Sequence, residues 1–315
     1  MKKLKALLLT EGMHGMKSQV EGLAKAMEVE YSHKIVRLSF PWNLIPPKYT
    51  PISQIILRSK IYLSEYNIPD LIISCGRKSV IPSILLKKKN PKIFTIHIQN
   101  PKVNAKNFDI IIAPEHDNLS GDNIYSSKGA IHYITESEII NAKPYLEKNI
   151  NSNKVVTLIL GGPNKYYSFD QDQLLKIFNL IKSSFISKDY KVIVIPSMRT
   201  PKKIIELAER ELGSFGYVVK TVDKQAYLSS YAIADYVVVT CDSTSMISEA
   251  AASKKPIFIA HMKAKRKNYR FKNFFELFNK MGITRDLGEK VETWTYNKHN
   301  EAARIAELIK NKIKK

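Results

Sequence analysis

Val237-Val-Val-Thr-Cys-Asp-Ser-Thr-Ser-Met-Ile-Ser-Glu-Ala-Ala-Ala252 joins an apolar strand to small hydroxyl residues, and then to a helix with a carboxylate in its second turn. Strand, polar turn and helix start in that order present unpaired backbone N–H groups and the positive end of a helix dipole to an anion. Asp242, Ser243, Thr244, Ser245 and Met246 form the turn. Glu249 lies four residues past Ser245 on the same helix face and can reach a hydroxylated group, such as a ribose, attached to a phosphate at the helix start. A Ser/Thr helix cap followed by a solvated Glu gives the same pattern.

The motif sits in a repeating alternation. Apolar runs at Lys5–Thr10, His33–Leu38, Asp70–Ser74, Lys92–His97 and Asp109–Ala113 read as strands, with helices near Met16–Met27, Ile52–Tyr66 and Ser79–Lys88. A second series has strands at Val155–Leu160, Lys191–Pro196, Tyr217–Lys220, Tyr236–Thr240 and Pro256–Ile259. Its helices fall near Asp170–Ser184, Pro201–Leu212, Gln225–Ala234 and Ser245–Ser253. This is the signature of parallel sheets covered on both faces. The fold class expected is α/β, with two Rossmann-like open parallel-sheet domains facing a central cleft. The N-terminal domain is expected over residues 1–145 and the C-terminal domain over 150–299. The polar stretch Thr135–Asn153 reads as the linker, and a final helix over about 300–315 packs back on the first domain. At 315 residues, two cores are the natural expectation.

Other strand ends repeat the polar theme. The first strand runs into Gly12, His14 and Gly15, with Gln19 in the helix that follows. Glycines there let backbone approach a ligand, and His14 is a candidate general base or a hydrogen-bonded turn residue. The spacing is not G-x-G-x-x-G, so a dinucleotide site is disfavoured. Arg77 and Lys78 suit an acceptor phosphate or carboxylate, or simply open a helix. Gln99 and Asn100 end another strand; Glu115 and His116 are candidates for acid–base work or for capping a turn. In the second half, Gly161, Gly162 and Asn164 suit a phosphate-cradling turn. Ser197, Arg199 and Thr200 precede Pro201 at a helix start, where Arg199 can neutralise a diphosphate.

Fifty Lys and Arg against 29 Asp and Glu give a net charge of +21, which calls for an anionic partner or reflects scattered surface lysine. The densest cluster, His261-Met-Lys-Ala-Lys-Arg-Lys-Asn-Tyr-Arg-Phe-Lys272, interleaves aromatics with charge. No RNA-binding or zinc-finger signature accompanies it, so no specific nucleic acid is expected. Pro41-Trp-Asn-Leu-Ile-Pro-Pro-Lys-Tyr-Thr-Pro51 is apolar and rigid enough to dip into an anionic membrane surface, or to be a packed loop. The apolar run after Met1 is short and reads as a buried strand rather than a signal peptide. Cys75 and Cys241 each end a strand, so no disulfide is expected, and no loop carries metal-ligand spacing. A cytoplasmic protein, peripheral at the inner face of the membrane if it binds lipid, is the expected setting.

Gly161-Gly162, Ser197-Met-Arg-Thr-Pro201 and Asp242-Ser-Thr-Ser-Met-Ile-Ser-Glu249 together resemble the two-domain GT-B glycosyltransferases. Glu11-Gly-Met-His-Gly-Met-Lys-Ser-Gln-Val-Glu-Gly22, Cys75-Gly-Arg-Lys78, His97-Ile-Gln-Asn-Pro101 and Thr293-Trp294 are similar to the mitochondrial-fission Elm-type family in particular. The resemblance implies that the C-terminal domain binds a nucleotide-diphosphate sugar as substrate, with no cofactor or metal. Glu249 would hold the ribose hydroxyls, and the turn at Ser243–Met246 with the Gly-Gly loop the diphosphate. The N-terminal domain would take a glycan or glycolipid acceptor. The expected function is sugar transfer in cell-envelope assembly, with His14, Glu115 or His116 as base. The alternatives are a nucleotide-sugar epimerase or hydrolase, or a non-catalytic adaptor binding a protein partner, as plant members of the family imply.

Overall fold

The computed structural model describes residues 3–63, 68–297 and 299–313. It divides into two compact units, Met1–Tyr133 with Asn300–Lys315, and Ile134–His299.

The first unit runs β1 (Lys5–Thr10), α1 (His14–Ala26), β2 (Glu30–Ile35), β3 (Leu71–Cys75), α2 (Val80–Lys89), β4 (Phe94–Ile98), β5 (Ile110–Pro114) and β6 (Ile124–Ser127). The strands form one six-stranded parallel sheet in the order β2-β1-β3-β4-β5-β6. Chain order reverses between β1 and β3, which makes their carboxyl ends the switch point where open α/β sheets bind ligands. β3 is buried at every residue, which is why it reads as an unbroken apolar run. Leu8, Ile73 and Ile96 pack on Val20 and Leu23 of α1 on one face; Leu9, Ile72 and Ile111 pack on Ile81 and Ile84 of α2 on the other.

Three local expectations change. β2 forms three residues earlier than its apolar run suggests; it is an edge strand exposed along nearly its whole length, and its register comes from pairing with β1. The helix expected over Ile52–Tyr66 is a single 3-10 turn, Gln54–Ile56, because Leu57 leaves it to pair with Leu38; residues 64–67 lie outside the described residues. β6 is a short, half-buried edge strand with no run to announce it.

The second unit runs α3 (Glu136–Ala142), α4 (Pro144–Glu147), β7 (Val155–Leu160), α5 (Gln171–Ser184), β8 (Lys191–Pro196), α6 (Lys202–Leu212), β9 (Gly216–Val218), α7 (Lys224–Ile233), β10 (Tyr236–Thr240), α8 (Thr244–Ala250), β11 (Ile257–Ala260), α9 (Tyr269–Lys280) and β12 (Thr284–Asp286). Its six parallel strands are ordered β12-β11-β10-β7-β8-β9, with the reversal between β7 and β10. Phe178 and Ile181 of α5 and Leu207 of α6 cover one face of this sheet. α7 and α8 contact the sheet at β7, β8, β10 and β11.

The stretch Thr135–Asn153 is helical over Glu136–Ala142 and Pro144–Glu147 and belongs to the second unit rather than linking two. Thr135 and Glu138 close a capping box on α3, and the Ser229 hydroxyl of α7 donates to the Lys143 carbonyl while taking the Leu146 N–H. The last helix, α10 (Glu301–Ile313), packs on α1 in the first unit, with Ile305 and Ile309 in the core beside Leu23. Glu301, almost fully buried, accepts the Lys128 N–H at 2.9 Å and pairs with Arg304 at 2.7 Å. Among the described residues, no helix is long and apolar enough to cross a membrane.

Candidate functional site

At the β7–β10 switch point the polar side chains form a closed network. Thr240 accepts the Gly161 N–H at 2.8 Å and donates to Asp242 Oδ1 at 2.7 Å. Asp242 Oδ2 accepts the Gly162 N–H at 2.9 Å and Arg199 Nη2 at 2.8 Å, while Arg199 Nη1 donates to the Gly162 carbonyl at 2.7 Å. Asn164 donates to the Asp242 carbonyl at 3.0 Å and takes the Tyr166 and Tyr167 amides on its own oxygen. Thr200 Oγ1 donates to the Leu160 carbonyl at 2.9 Å and accepts the Ser197 N–H at 2.8 Å, tying the start of α6 to the end of β7. Burial pushes the Asp242 carboxyl up, and the Arg199 guanidinium and the Gly162 N–H pull it back.

This corrects the expected phosphate-cradling turn. A Cβ on Gly161 would overlap the Asp242 carboxylate, and one on Gly162 the Arg199 carbonyl. The glycines make room for protein groups, and their amides are already taken by Thr240 and Asp242. Arg199 likewise already neutralises a buried carboxylate.

The turn into α8 is different. Ser243 caps the helix, taking the Met246 N–H on its hydroxyl. The amides of Thr244 and Ser245 donate to no protein acceptor among the described residues. One turn on, Glu249 Oε2 accepts the Tyr227 hydroxyl at 2.8 Å, and Oε1 meets no protein donor among the described residues. Burial pushes the Glu249 carboxyl up to about 7, against the pull of the Tyr227 hydrogen bond. A carboxyl raised from 4.5 to about 7 keeps a proton in the folded chain that the unfolded chain has lost, so it subtracts stability as pH climbs through that window. In denaturant titrations at pH 4.5 and pH 8, wild type is expected to lose stability relative to Glu249→Gln, by up to on the order of 3 kcal/mol. Equal pH dependence of the two chains would contradict the assigned state.

A cavity of about 740 Å³ opens at the ends of β11 and β12, lined by Tyr167, His261, Arg266, Lys267, Phe275 and Asp286 among others. Tyr167 joins it to the switch point, its hydroxyl lying between Cys241 and Asn268. His261 Nε2 and Asp286 Oδ1 are 2.7 Å apart, and the imidazole stands edge-on to Phe275. This pair escapes a sequence reading because β12 is three residues long. The charged cluster read at His261–Lys272 is in part the first turn of α9, whose signal is Phe274 and Phe278, four apart and both buried. Trp294 packs against the core, edge-on to Phe258 under the Arg285 guanidinium, while Thr293 is exposed.

In the first unit, Arg77 and Lys78 are engaged by the protein. Glu11, not singled out from sequence, accepts the Lys78 N–H at 3.1 Å and its ammonium at 3.0 Å across the β1–β3 switch point. Arg77 donates to the Ile45 carbonyl at 2.9 Å and to the Asn43 carbonyl. His14, the exposed first residue of α1, stands edge-on to Tyr133 at 6.1 Å. Gly12 sits at φ +90°, Gly15 faces open space, and Gln19 donates to the Gly15 carbonyl. Gln99 holds a left-handed φ of +84°, its N–H on the Ile112 carbonyl, and Asn100 closes a turn on the Lys102 N–H. Glu115 is exposed in the 3-10 turn Glu115–Asp117; the side chain of His116 lies outside the described residues. Buried His97, bonded to Ser74 at 2.9 Å, is held neutral, its pKa pushed down to about 3 by burial. Both cysteines are buried free thiols.

A family model described as Mitochondrial fission ELM1 matches residues 14–313. The chain belongs to that family. Another relative, Uncharacterized protein RP120 of Rickettsia prowazekii, is 29% identical over 78% of this chain and 80% of its own length. Mitochondrial fission protein ELM1 of Arabidopsis thaliana is 24% identical over 78% of this chain, which spans only 64% of the plant protein. Among solved structures, this ELM1-family chain is similar to UDP-GlcNAc 2-epimerase from Neisseria meningitidis bound to UDP-GlcNAc, with a TM-score of 0.53 at 12% identity over 99% of this chain and 92% of that one. The glycotransferase of kitacinnamycin matches with a TM-score of 0.54 at 12% identity over 99% of both chains. At such identities the likeness is one of fold, and it is the GT-B type: two Rossmann-like units, each built on a six-stranded parallel sheet.

Proposed function

We propose that the second unit binds a nucleotide-diphosphate sugar at the β7–β10 switch point, and that the chain transfers the sugar to a hydroxyl of a cell-envelope glycan or glycolipid. Glu249 carries this reading. One of its oxygens is fixed by Tyr227, the other meets no protein donor among the described residues, and the unpaired amides of Thr244 and Ser245 lie one helical turn away. A ribose can donate to that oxygen while its diphosphate takes the amides. The 2-epimerase of the same fold holds UDP-GlcNAc, which supports a nucleotide-sugar ligand here.

In the transfer, the acceptor oxygen attacks the anomeric carbon and its proton passes to a base. The bond from the anomeric carbon to the diphosphate breaks, and the electron pair leaves on a diphosphate held by the α8 amides and the Arg266–Lys267 rim. No metal step is invoked. Because an ionised carboxylate accepts a ribose hydroxyl better than a protonated one, nucleotide affinity is expected to rise as pH passes upward through about 7.

Labelled nucleotide sugars incubated with the chain and a bacterial lipid extract test the reaction. Label moving into lipid supports transfer, whereas free or epimerised sugar formed without acceptor replaces it with the hydrolase or epimerase reading. A second reading, a non-catalytic adaptor, is favoured by the closed Asp242 network, which leaves a carboxylate and no free glycine amide where a diphosphate cradle was expected. On that reading Glu249→Ala leaves function intact.

A further inference from the structure

The chain between β2 and β3 forms a surface that the nucleotide site does not use. From Tyr31 through Leu63 there is no Asp or Glu, while Lys34, Arg37, Lys48, Arg58 and Lys60 are cationic and exposed. The loop is anchored at its stems: Leu38 bridges Leu57, the Ser39 N–H donates to the Ile56 carbonyl at 2.8 Å, and the Arg58 N–H to the Arg37 carbonyl at 2.9 Å. Its inward side chains, Val36, Ile56, Leu57 and Ile61, are buried in the core, with Trp42 packed against them. Arg77 grips its far side through the Asn43 and Ile45 carbonyls. On this fixed frame Phe40 is 80% exposed, Leu44 71%, Tyr49 69% and Ile55 71%, whereas Tyr62 lines a separate pocket with Glu30 at the start of β2.

Single exposed apolar side chains are ordinary; a set of them on one anchored loop without a carboxylate marks an interaction surface. We propose that this loop docks on an anionic lipid bilayer, with Phe40, Leu44, Tyr49 and Ile55 entering the headgroup region and Arg37, Lys48, Arg58 and Lys60 meeting the lipid phosphates. Aromatic and aliphatic side chains ringed by Lys and Arg are the composition that suits that boundary. A protein partner would have to be acidic wherever these cations fall, whereas an anionic bilayer offers that charge at every position. The inference concerns the first unit alone and stands whether or not the nucleotide site is confirmed.

Flotation of the full chain with vesicles of phosphatidylcholine, with and without phosphatidylglycerol, tests it. Wild type is expected to float only with the anionic vesicles. Phe40→Ser/Leu44→Ser/Ile55→Ser is expected to weaken partition at least about tenfold, since each loses apolar area the bilayer would cover. Lys48→Gln/Arg58→Gln/Lys60→Gln should weaken it by about fivefold per charge. Both variants should melt with wild type, because every substituted side chain is exposed, and Lys263→Gln/Lys265→Gln, a charge control in the second unit, should float as wild type does. The proposal is overturned by no flotation with anionic vesicles, by a Phe40/Leu44/Ile55 variant that floats like wild type, or by loss of flotation in the charge control. It is equally overturned by a dimer on gel filtration that the apolar substitutions break while wild type ignores vesicles, which would assign the loop to a second copy of the chain.

Discussion

Gly162→Ala is expected to destabilise the second unit by about 3 kcal/mol or more, or to prevent its folding. The added methyl would overlap the backbone carbonyl of Arg199, so relief requires moving chain rather than turning a side chain. Such a movement separates Arg199 from Asp242, and parting a buried carboxylate from its partner costs about 3–5 kcal/mol. For a unit of this size that corresponds to a melting temperature lower by roughly 6–12 °C. Gly15→Ala is the matched control: nothing lies near its added carbon, it sits in α1, and it should be neutral or stabilising by up to about 1 kcal/mol. A Gly162→Ala chain that melts with wild type would show that the glycine–Arg199–Asp242 packing does not constrain the turn.

How far these sites were legible in the sequence depends on what each feature is made of. Strands buried on both faces, such as Val155–Leu160 and Tyr236–Thr240, announce themselves as unbroken apolar runs, and the structure forms them at those residues. β2 gave a displaced signal: its apolar run at His33–Leu38 begins three residues after the strand does, because an exposed edge strand takes its register from its neighbour. The Ile52–Tyr66 segment has helical spacing, but Leu57 contributes more by pairing with Leu38 and filling the core than by continuing a helix. The capping box at Thr135 and Glu138 was readable and would have shown that the supposed linker begins a helix. The turn at Asp242 looked like an anion cradle because glycines, hydroxyls and an arginine are what a cradle contains. Whether their hydrogen bonds go to a ligand or to one another is a tertiary fact, and Asp242, some eighty residues from Gly162, takes them. Glu11 escaped for the same reason: its partner Lys78 lies on the neighbouring strand end.

The second large effect concerns Glu249. If its Oε1 receives a ribose hydroxyl while the Thr244 and Ser245 amides take the diphosphate, nucleotide binding should fail on removal of that carboxylate even though the fold survives. Glu249→Gln keeps the shape and the Tyr227 contact but offers a weaker acceptor, and should bind weakly; Glu249→Ala should not bind measurably. Tyr227→Phe frees Oε2 and removes the anchor, so it should weaken binding less than loss of the carboxylate itself.

The measurement that tests this most directly is a thermal-shift panel of UDP, GDP, ADP and CMP with their sugars, on wild type and Glu249→Ala side by side. A ligand at about 100 times its dissociation constant adds about 2.7 kcal/mol to the native state, a shift well above detection. The expected result is stabilisation of wild type by one nucleotide class and its loss in Glu249→Ala. Absence of any shift in wild type, or a shift that persists in the variant, would contradict a nucleotide held by Glu249.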